Sequence, residues 1–187
     1  SNIKKEFDLL YLGNNWYRLA DIKKLINSVS SIRDQLKVFA LIGQYWTGKP
    51  MKNFEEATRS DPDFLAINNI KIYKSPKYGE VEKNMSRGKL NPILIRPLLN
   101  SLKFVTPRMF ETFTANTVPL VPNYFSYATT LYGEEIKELT LSKNVADDIL
   151  RIMERYDEYV LLTENIRKKL QKEHSYEVRI KQLLNYL

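Results

Sequence analysis

The sequence predicts an α/β fold: a mostly parallel sheet flanked by helices, followed by a helical tail. Three observations carry this. Short apolar runs of strand length recur along the first two thirds of the chain, most of them closed by Gly, Asn or Pro. Segments with helical spacing lie between them, the alternation expected of parallel βαβ units in a doubly wound sheet. Beyond residue 142 the pattern becomes helical throughout.

Taken in order, residues 7–12 (FDLLYL) read as a buried strand, and Gly13-Asn14-Asn15 as the turn that ends it. Leu19, Ile22, Leu25, Ile26 and Val29 then share one helix face. Residues 36–42 form a second strand closed by Gly43, and residues 70–73 a third. Residues 80–88 read as a helix. Residues 92–95 form a fourth strand, ending at Arg96-Pro97. Residues 107–115 are a helix with a well-specified start, because Thr106 can cap it and Pro107 sits where a missing N–H costs nothing. Residues 118–121 give a fifth strand and residues 139–141 a short sixth. In the tail, Val145, Ile149, Ile152 and Met153 fit one helix, Leu162, Ile166 and Leu170 a second, and Tyr176, Ile180, Leu183, Leu184 and Leu187 a third. Ser142 and Ser175 stand at N-cap positions. The expected product is one Rossmann-like domain over residues 1–187, with residues 143–187 as its helical tail.

Composition narrows the chemistry. The chain has 187 residues and is 43% hydrophobic, enough for one globular core. It has no cysteine, which removes disulfides, thiolate catalysis and Cys-based zinc sites and fits a cytoplasmic protein. Its one histidine, His174, cannot build a multi-histidine metal site, and its place in the tail reads as surface or capping. No apolar run approaches the roughly 20 residues of a membrane span. The polar start, with no apolar stretch after it, does not read as a signal peptide. The chain opens almost directly on a strand, as a domain cut from a longer protein would.

The net charge of +7 suits anionic partners such as nucleotides or phosphosugars, or else marks a solvated basic surface. Lys and Arg are spread along the chain, which argues against a dedicated nucleic-acid or membrane tract.

Ligands of open parallel sheets bind beyond the C-terminal ends of the strands. The residues there are Gly13, Asn14, Asn15, Trp16 and Arg18, then residues 43–46 and 74–79, then Arg96, and finally Pro122, Asn123 and Tyr124. Gly13 either lets the backbone approach a phosphate or is a simple turn glycine. Trp16, Tyr17, Tyr45 and Trp46 either stack on a ring or pack the core. Neither a G-x-G-x-x-G run nor a P-loop is present, which removes the fingerprints of dinucleotide oxidoreductases and P-loop kinases. The helix starting at Thr106 is a potential anion site, and Arg108 adds a fork-shaped donor suited to phosphate. Glu111 lies three residues on, on the same face, placed either to accept ribose hydroxyls or to pair with Arg108 at the surface.

The run TPRMFETFTANTVPLVPN (residues 106–123) resembles the donor-binding core of GT-B glycosyltransferases, in particular the spore-maturation-protein-like, glycosyltransferase family 1-like subgroup. Its pattern R-x-F-E is followed downstream by VADDILRIMERY and by a terminal Y-x-x-R-x-x-x-L-L helix within ENIRKKLQKEHSYEVRIKQLLNYL. FDLLYLGNNWYRL resembles that domain's first strand. The likeness is specific over residues 106–187 and softer over residues 7–46.

The resemblance implies that Glu111 is the carboxylate that binds the nucleotide ribose, and that Arg108 and Arg18 contact phosphate. Arg96 is added from its position at a strand end. Thr106, Gly13 and Asn14 complete the expected nucleotide-sugar site. The donor is a nucleoside diphosphate sugar. No further cofactor or metal is implied, since helix dipoles and basic side chains stabilise the leaving diphosphate in this architecture. The partner is the acceptor-binding N-terminal domain of the same enzyme, so the chain alone is expected to bind donor with little transfer. Two positions depart from the pattern. Lys103 stands where many members carry a second glutamate near the sugar, and Asn116 where they carry glycine. The donor sugar and the stereochemistry therefore stay unassigned. The alternatives are a basic nucleic-acid-binding module, a non-catalytic Rossmann-like interaction domain, or a nucleotide-sugar epimerase of the same architecture.

Overall fold

A computed structural model describes residues 3–185. The elements follow one another as β1 (Phe7–Leu12), α1 (Leu19–Ser28), β2 (Phe39–Ile42), α2 (Pro62–Ile67), β3 (Lys71–Tyr73), α3 (Val81–Met85), β4 (Gly88–Pro92), α4 (Pro97–Ser101), α5 (Pro107–Thr114), β5 (Val118–Leu120), α6 (Ala128–Tyr132), α7 (Val145–Glu154), α8 (Tyr156–His174) and α9 (Tyr176–Leu184). The five strands form one parallel sheet in the order β3-β2-β1-β4-β5. The order reverses at β1, which makes the gap between β1 and β4 the switch point where such sheets bind ligands.

Every residue of β1 and β2 is buried, as expected for strands covered on both faces. On one face Leu9, Leu41 and Leu90 pack with Ile22 and Ile26 of α1, Phe113 of α5 and Ile166 of α8. On the other, Phe7, Leu10 and Leu12 pack with Ala40, Ile42, Met85 and Ala115. Gly88 admits β4 beside β1, because a Cβ there would lie 2.7 Å from the Leu10 Cβ.

Four expectations are corrected in detail. The fourth strand lies at Gly88–Pro92, upstream of residues 92–95, because α3 stops at Met85 and the chain enters the sheet at once. The sixth strand reduces to a single parallel bridge, Val121 with Thr140, extending the β5 edge. Thr106 occupies the N-cap of α5 with no side-chain cap bond, so Pro107 alone marks that start. Ser142 does not cap α7; the N-cap is Asn144, whose N–H donates to the Ser142 Oγ at 3.0 Å while the Ser142 N–H donates to Asp148 at 2.6 Å. Ser175 does cap α9, accepting from the Val178 N–H.

The tail divides. Ile149 and Ile152 of α7 and Tyr159, Ile166 and Leu170 of α8 are buried against the body of the fold. No described residue of α9 is buried, and Tyr176, Ile180, Leu183 and Leu184 are exposed. Leu187, assigned to the same face, lies outside the described residues. No helix among the described residues is long and apolar enough to cross a membrane.

Candidate functional site

The site is built around the upper end of β1. Tyr11 is buried, and its ring meets Trp46 edge-on at 5.8 Å. Its hydroxyl reaches beneath Gly13, where a Cβ would sit 2.7 Å from it. The Trp46 indole donates to the Gly13 carbonyl at 2.9 Å. Gly13 is thus glycine because tyrosine and tryptophan close on it, an intramolecular close approach.

Asn14 and Asn15 brace the loops around this point. The Asn14 side-chain oxygen accepts from the Gln44 N–H at 2.9 Å and from the Ser75 hydroxyl at 3.2 Å, tying together the loops after β1, β2 and β3. Buried Asn15 donates to the carbonyls of Tyr45 and Arg59. Of the four aromatics flagged near these loops, Trp46 is core, Trp16 packs against Phe54 at 5.1 Å, and Tyr17 is about half exposed. Tyr17 and Tyr45 both hold left-handed backbone, with φ of 56° and 63°.

Two guanidinium groups act electrostatically on the Tyr11 hydroxyl, that of Arg18 at the start of α1 and that of Arg108 at the start of α5. Burial pushes that hydroxyl up, while the two arginines pull it down. One nitrogen on each guanidinium, Nη1 in both, is buried without a hydrogen-bond partner among the described residues. The Arg108 Nη1 does lie 3.0 Å from the Glu111 Oε2, but its N–H is not directed at that oxygen, so the contact is an ion pair and not a hydrogen bond. Buried donors of this kind are costly to leave empty and fit an anionic acceptor.

Carboxylates stand beside both arginines. Glu111 follows Arg108 by one helical turn and keeps its side chain 29% exposed. Asp21 follows Arg18 by the same interval; burial raises its carboxyl above the usual aspartate range, partly offset by Arg18 and Lys24. Tyr124, in the loop after β5, is pushed up to about 12 by burial and by Asp21. Its carbonyl accepts from the Asn100 amide at 2.7 Å, which fixes that loop to α4.

Arg108 and Glu111 are paired, Gly13 closes on Tyr11, and the charges of Arg18 and Arg108 both act on the Tyr11 hydroxyl. Asn14 stands beside them as a brace. Arg96 occupies the N-cap position of α4, half-buried and without a salt bridge among the described residues, and is not among the groups acting on Tyr11. Thr106 faces a second space, a cavity of about 1030 Å³ between α5 and the α8–α9 corner, whose wall also includes Glu111, Phe110 and His174. The His174 ring lies 5.7 Å from Phe110 and against the Arg179 guanidinium; burial, then Arg179, lowers its pKa. Tyr11 and Asp21 were not singled out by sequence reasoning. The repeated spacing Arg18-x-x-Asp21 and Arg108-x-x-Glu111 is the signal that could have found Asp21.

No family model and no curated protein sequence matches the chain. Solved structures do. The chain is similar to T4 phage β-glucosyltransferase, in a structure with UDP and Mn2+, with a TM-score of 0.62, 15% identity, and coverage of 92% of this chain and 46% of that one. It is similar to TarM of S. aureus, in a structure with UDP, at a TM-score of 0.66 and 14% identity over 99% of this chain and 36% of that one. It is also similar to WaaG, a glycosyltransferase involved in lipopolysaccharide biosynthesis, at 0.60 and 14%, over 96% of this chain and 47% of that one. At such identities the likeness shows a shared fold, and the chain spans less than half the length of each of these proteins.

Proposed function

We propose that the chain is the donor-binding domain of a glycosyltransferase, holding a nucleoside diphosphate sugar at the β1–β4 switch point. The observation that carries this reading is the pair of guanidinium groups acting on Tyr11, each with a buried donor nitrogen that has no hydrogen-bond partner among the described residues. Arg18 and Arg108 take the diphosphate, aided by the start of α5. Glu111, one turn further along, accepts the ribose hydroxyls. As the sugar–phosphate bond breaks, negative charge grows on the diphosphate, and these fixed cations stabilise it there. The acceptor is bound by an N-terminal domain of the same enzyme, a reading supported by the chain's partial coverage of its structural neighbours. The R-x-F-E run and the terminal helix motif favour the spore-maturation-protein-like subgroup, and the absence of cysteine accords with a cytoplasmic setting.

A thermal-shift panel tests the reading. A nucleoside diphosphate at a hundred times its Kd stabilises the native state by about 2.7 kcal/mol. For a chain of this size that is roughly 5–10 °C in Tm. UDP, ADP and GDP, each with its hexose conjugates, form the panel, and at least one pair is expected to give such a shift. A Tm raised by a single-stranded oligonucleotide and by no nucleoside diphosphate would instead favour the nucleic-acid module.

A further inference from the structure

The cavity of about 1030 Å³ between α5 and the α8–α9 corner has no task in the donor reading, although Glu111 and Thr106 belong to its wall. Phe113 of α5, Leu131 of α6 and Leu170 of α8 give it a buried apolar floor, which half-buried Phe110 widens on the α5 side. On the α8–α9 side the wall carries three basic side chains, Arg167, His174 and Arg179. Arg179 forms no salt bridge among the described residues: one guanidinium nitrogen donates to the Gln182 Oε1 at 2.8 Å and another lies against the His174 ring. Arg167 has Glu164 as its carboxylate partner, at a loose 3.7 Å. The two carboxylates of the wall are already engaged. Glu82 accepts from the Thr114 hydroxyl at 2.6 Å, and Glu111 pairs with Arg108 at 3.0 Å. The cavity therefore has an apolar floor, unspent positive charge on its α8–α9 side, and negative charge on its α3 and α5 side.

We infer that this cavity is a binding site for a single-chain anionic amphiphile, a hydrocarbon chain that ends in a phosphate-like head. Its volume matches the upper end of small-molecule sites, which run to roughly 1,000 Å³. The floor offers only hydrocarbon and aromatic surface, which an alkyl chain fills without leaving a polar group unpaired. A nucleobase suits it poorly, because its amide and amine edges would be buried there without partners. The head belongs at Arg167 and Arg179, whose guanidinium forks match phosphate. Glu82 and Glu111 repel it from the other side, so the ligand is held in one orientation. The cations used here are not those assigned to the diphosphate, and the inference does not depend on the donor reading.

Isothermal titration with dodecyl phosphate, kept below the concentration at which it forms micelles, tests the site. One molecule is expected per chain. Across octyl, decyl and dodecyl phosphate the affinity should rise by up to about fourfold per methylene, the gain from burying each one. Dodecyltrimethylammonium, with the same chain and the opposite charge, should bind about tenfold more weakly or worse. The double variant Arg167→Gln/Arg179→Gln should weaken dodecyl phosphate about fivefold or more, since each arginine contributes an ion pair at a partly exposed rim, and should not weaken the ammonium compound. Gln171→Trp places bulk in the wall from an exposed position of α8, so it should also weaken dodecyl phosphate without testing the fold. Equal affinity for the two head charges, no dependence on chain length, or full binding by both variants would overturn the inference. So would a chain that sediments with phosphatidylcholine–phosphatidylglycerol vesicles but ignores monomeric dodecyl phosphate, because net charge alone explains that result. Each of these outcomes leaves the donor reading untouched.

Discussion

Gly13 offers the sharpest test of how the site is held. A methyl group added there would lie 2.7 Å from the Tyr11 hydroxyl oxygen and 3.0 Å and 3.2 Å from two ring carbons. The tyrosine has nowhere to retreat: its ring is buried edge-on against Trp46, and Trp46 is itself bonded to the Gly13 carbonyl. Gly13→Ala is therefore an overpacking change in a braced site, with a cost of about 1–3 kcal/mol. For a domain of this length that is a fall in Tm of roughly 2–12 °C. Because the charges of both arginines act on the displaced hydroxyl, nucleotide affinity is expected to fall as well. Tyr11→Phe removes the closest contact while keeping the ring, so the double variant should recover part of the loss. Residues in contact usually depart from additivity by about 0.5 kcal/mol or more. Urea denaturation of the four proteins in this cycle measures it. Full stability of Gly13→Ala, or strict additivity of the two changes, would refute the proposed clamp.

Three further outcomes follow from other parts of the molecule. The Lys5 amine donates to the carbonyls of Ser86, Gly88 and Asn116, at 2.8, 3.1 and 2.5 Å, so Lys5→Met should cost about 1.5–3 kcal/mol in denaturant unfolding. Because burial raises the Asp21 carboxyl in the folded state, its protonation favours folding: the benefit is complete below the ordinary aspartate value of about 3.9 and is lost as pH rises through the folded value. Asp21→Asn should therefore be more stable than wild type at pH 7, with the two thermal-melting curves converging toward pH 4 and below. Leu183 on α9 is 62% exposed, so Leu183→Lys should stay within about 0.5 kcal/mol of wild type, and a larger loss by thermal melting would show that α9 is packed.

Much of the fold could be read from hydrophobic spacing, because buried parallel strands announce themselves as short apolar runs. The fourth strand was the exception. Residues 92–95 look more strand-like than residues 88–92, and only the demand for a glycine beside Leu10 places Gly88 in the sheet. The sixth strand had apolar residues but no partner beyond Val121. Within the site, Arg108 and Glu111 were visible because a helix brings residues three apart onto one face. Tyr11 was hidden in plain view, as an aromatic in a run of core residues. Asp21 looked like an ordinary acid in the first turn of a helix. Both enter charge interactions between segments far apart in the chain, Arg108 acting on Tyr11 and Asp21 on Tyr124, and sequence spacing carries no information about such long-range effects.

The central claim is that Glu111 and the paired arginines bind the ribose and diphosphate of a nucleotide donor. Isothermal titration of the best nucleoside diphosphate from the thermal panel, and of its 2′,3′-dideoxy counterpart, against wild type and Glu111→Gln tests it most directly. A lost charge-assisted hydrogen bond is worth roughly 1.5–3 kcal/mol, so Glu111→Gln should weaken the ribose-bearing ligand about tenfold or more. The dideoxy ligand should bind wild type weakly and lose little more on mutation, since both changes remove the same contact. Equal binding of the ribose-bearing ligand by wild type and a folded Glu111→Gln would contradict the account.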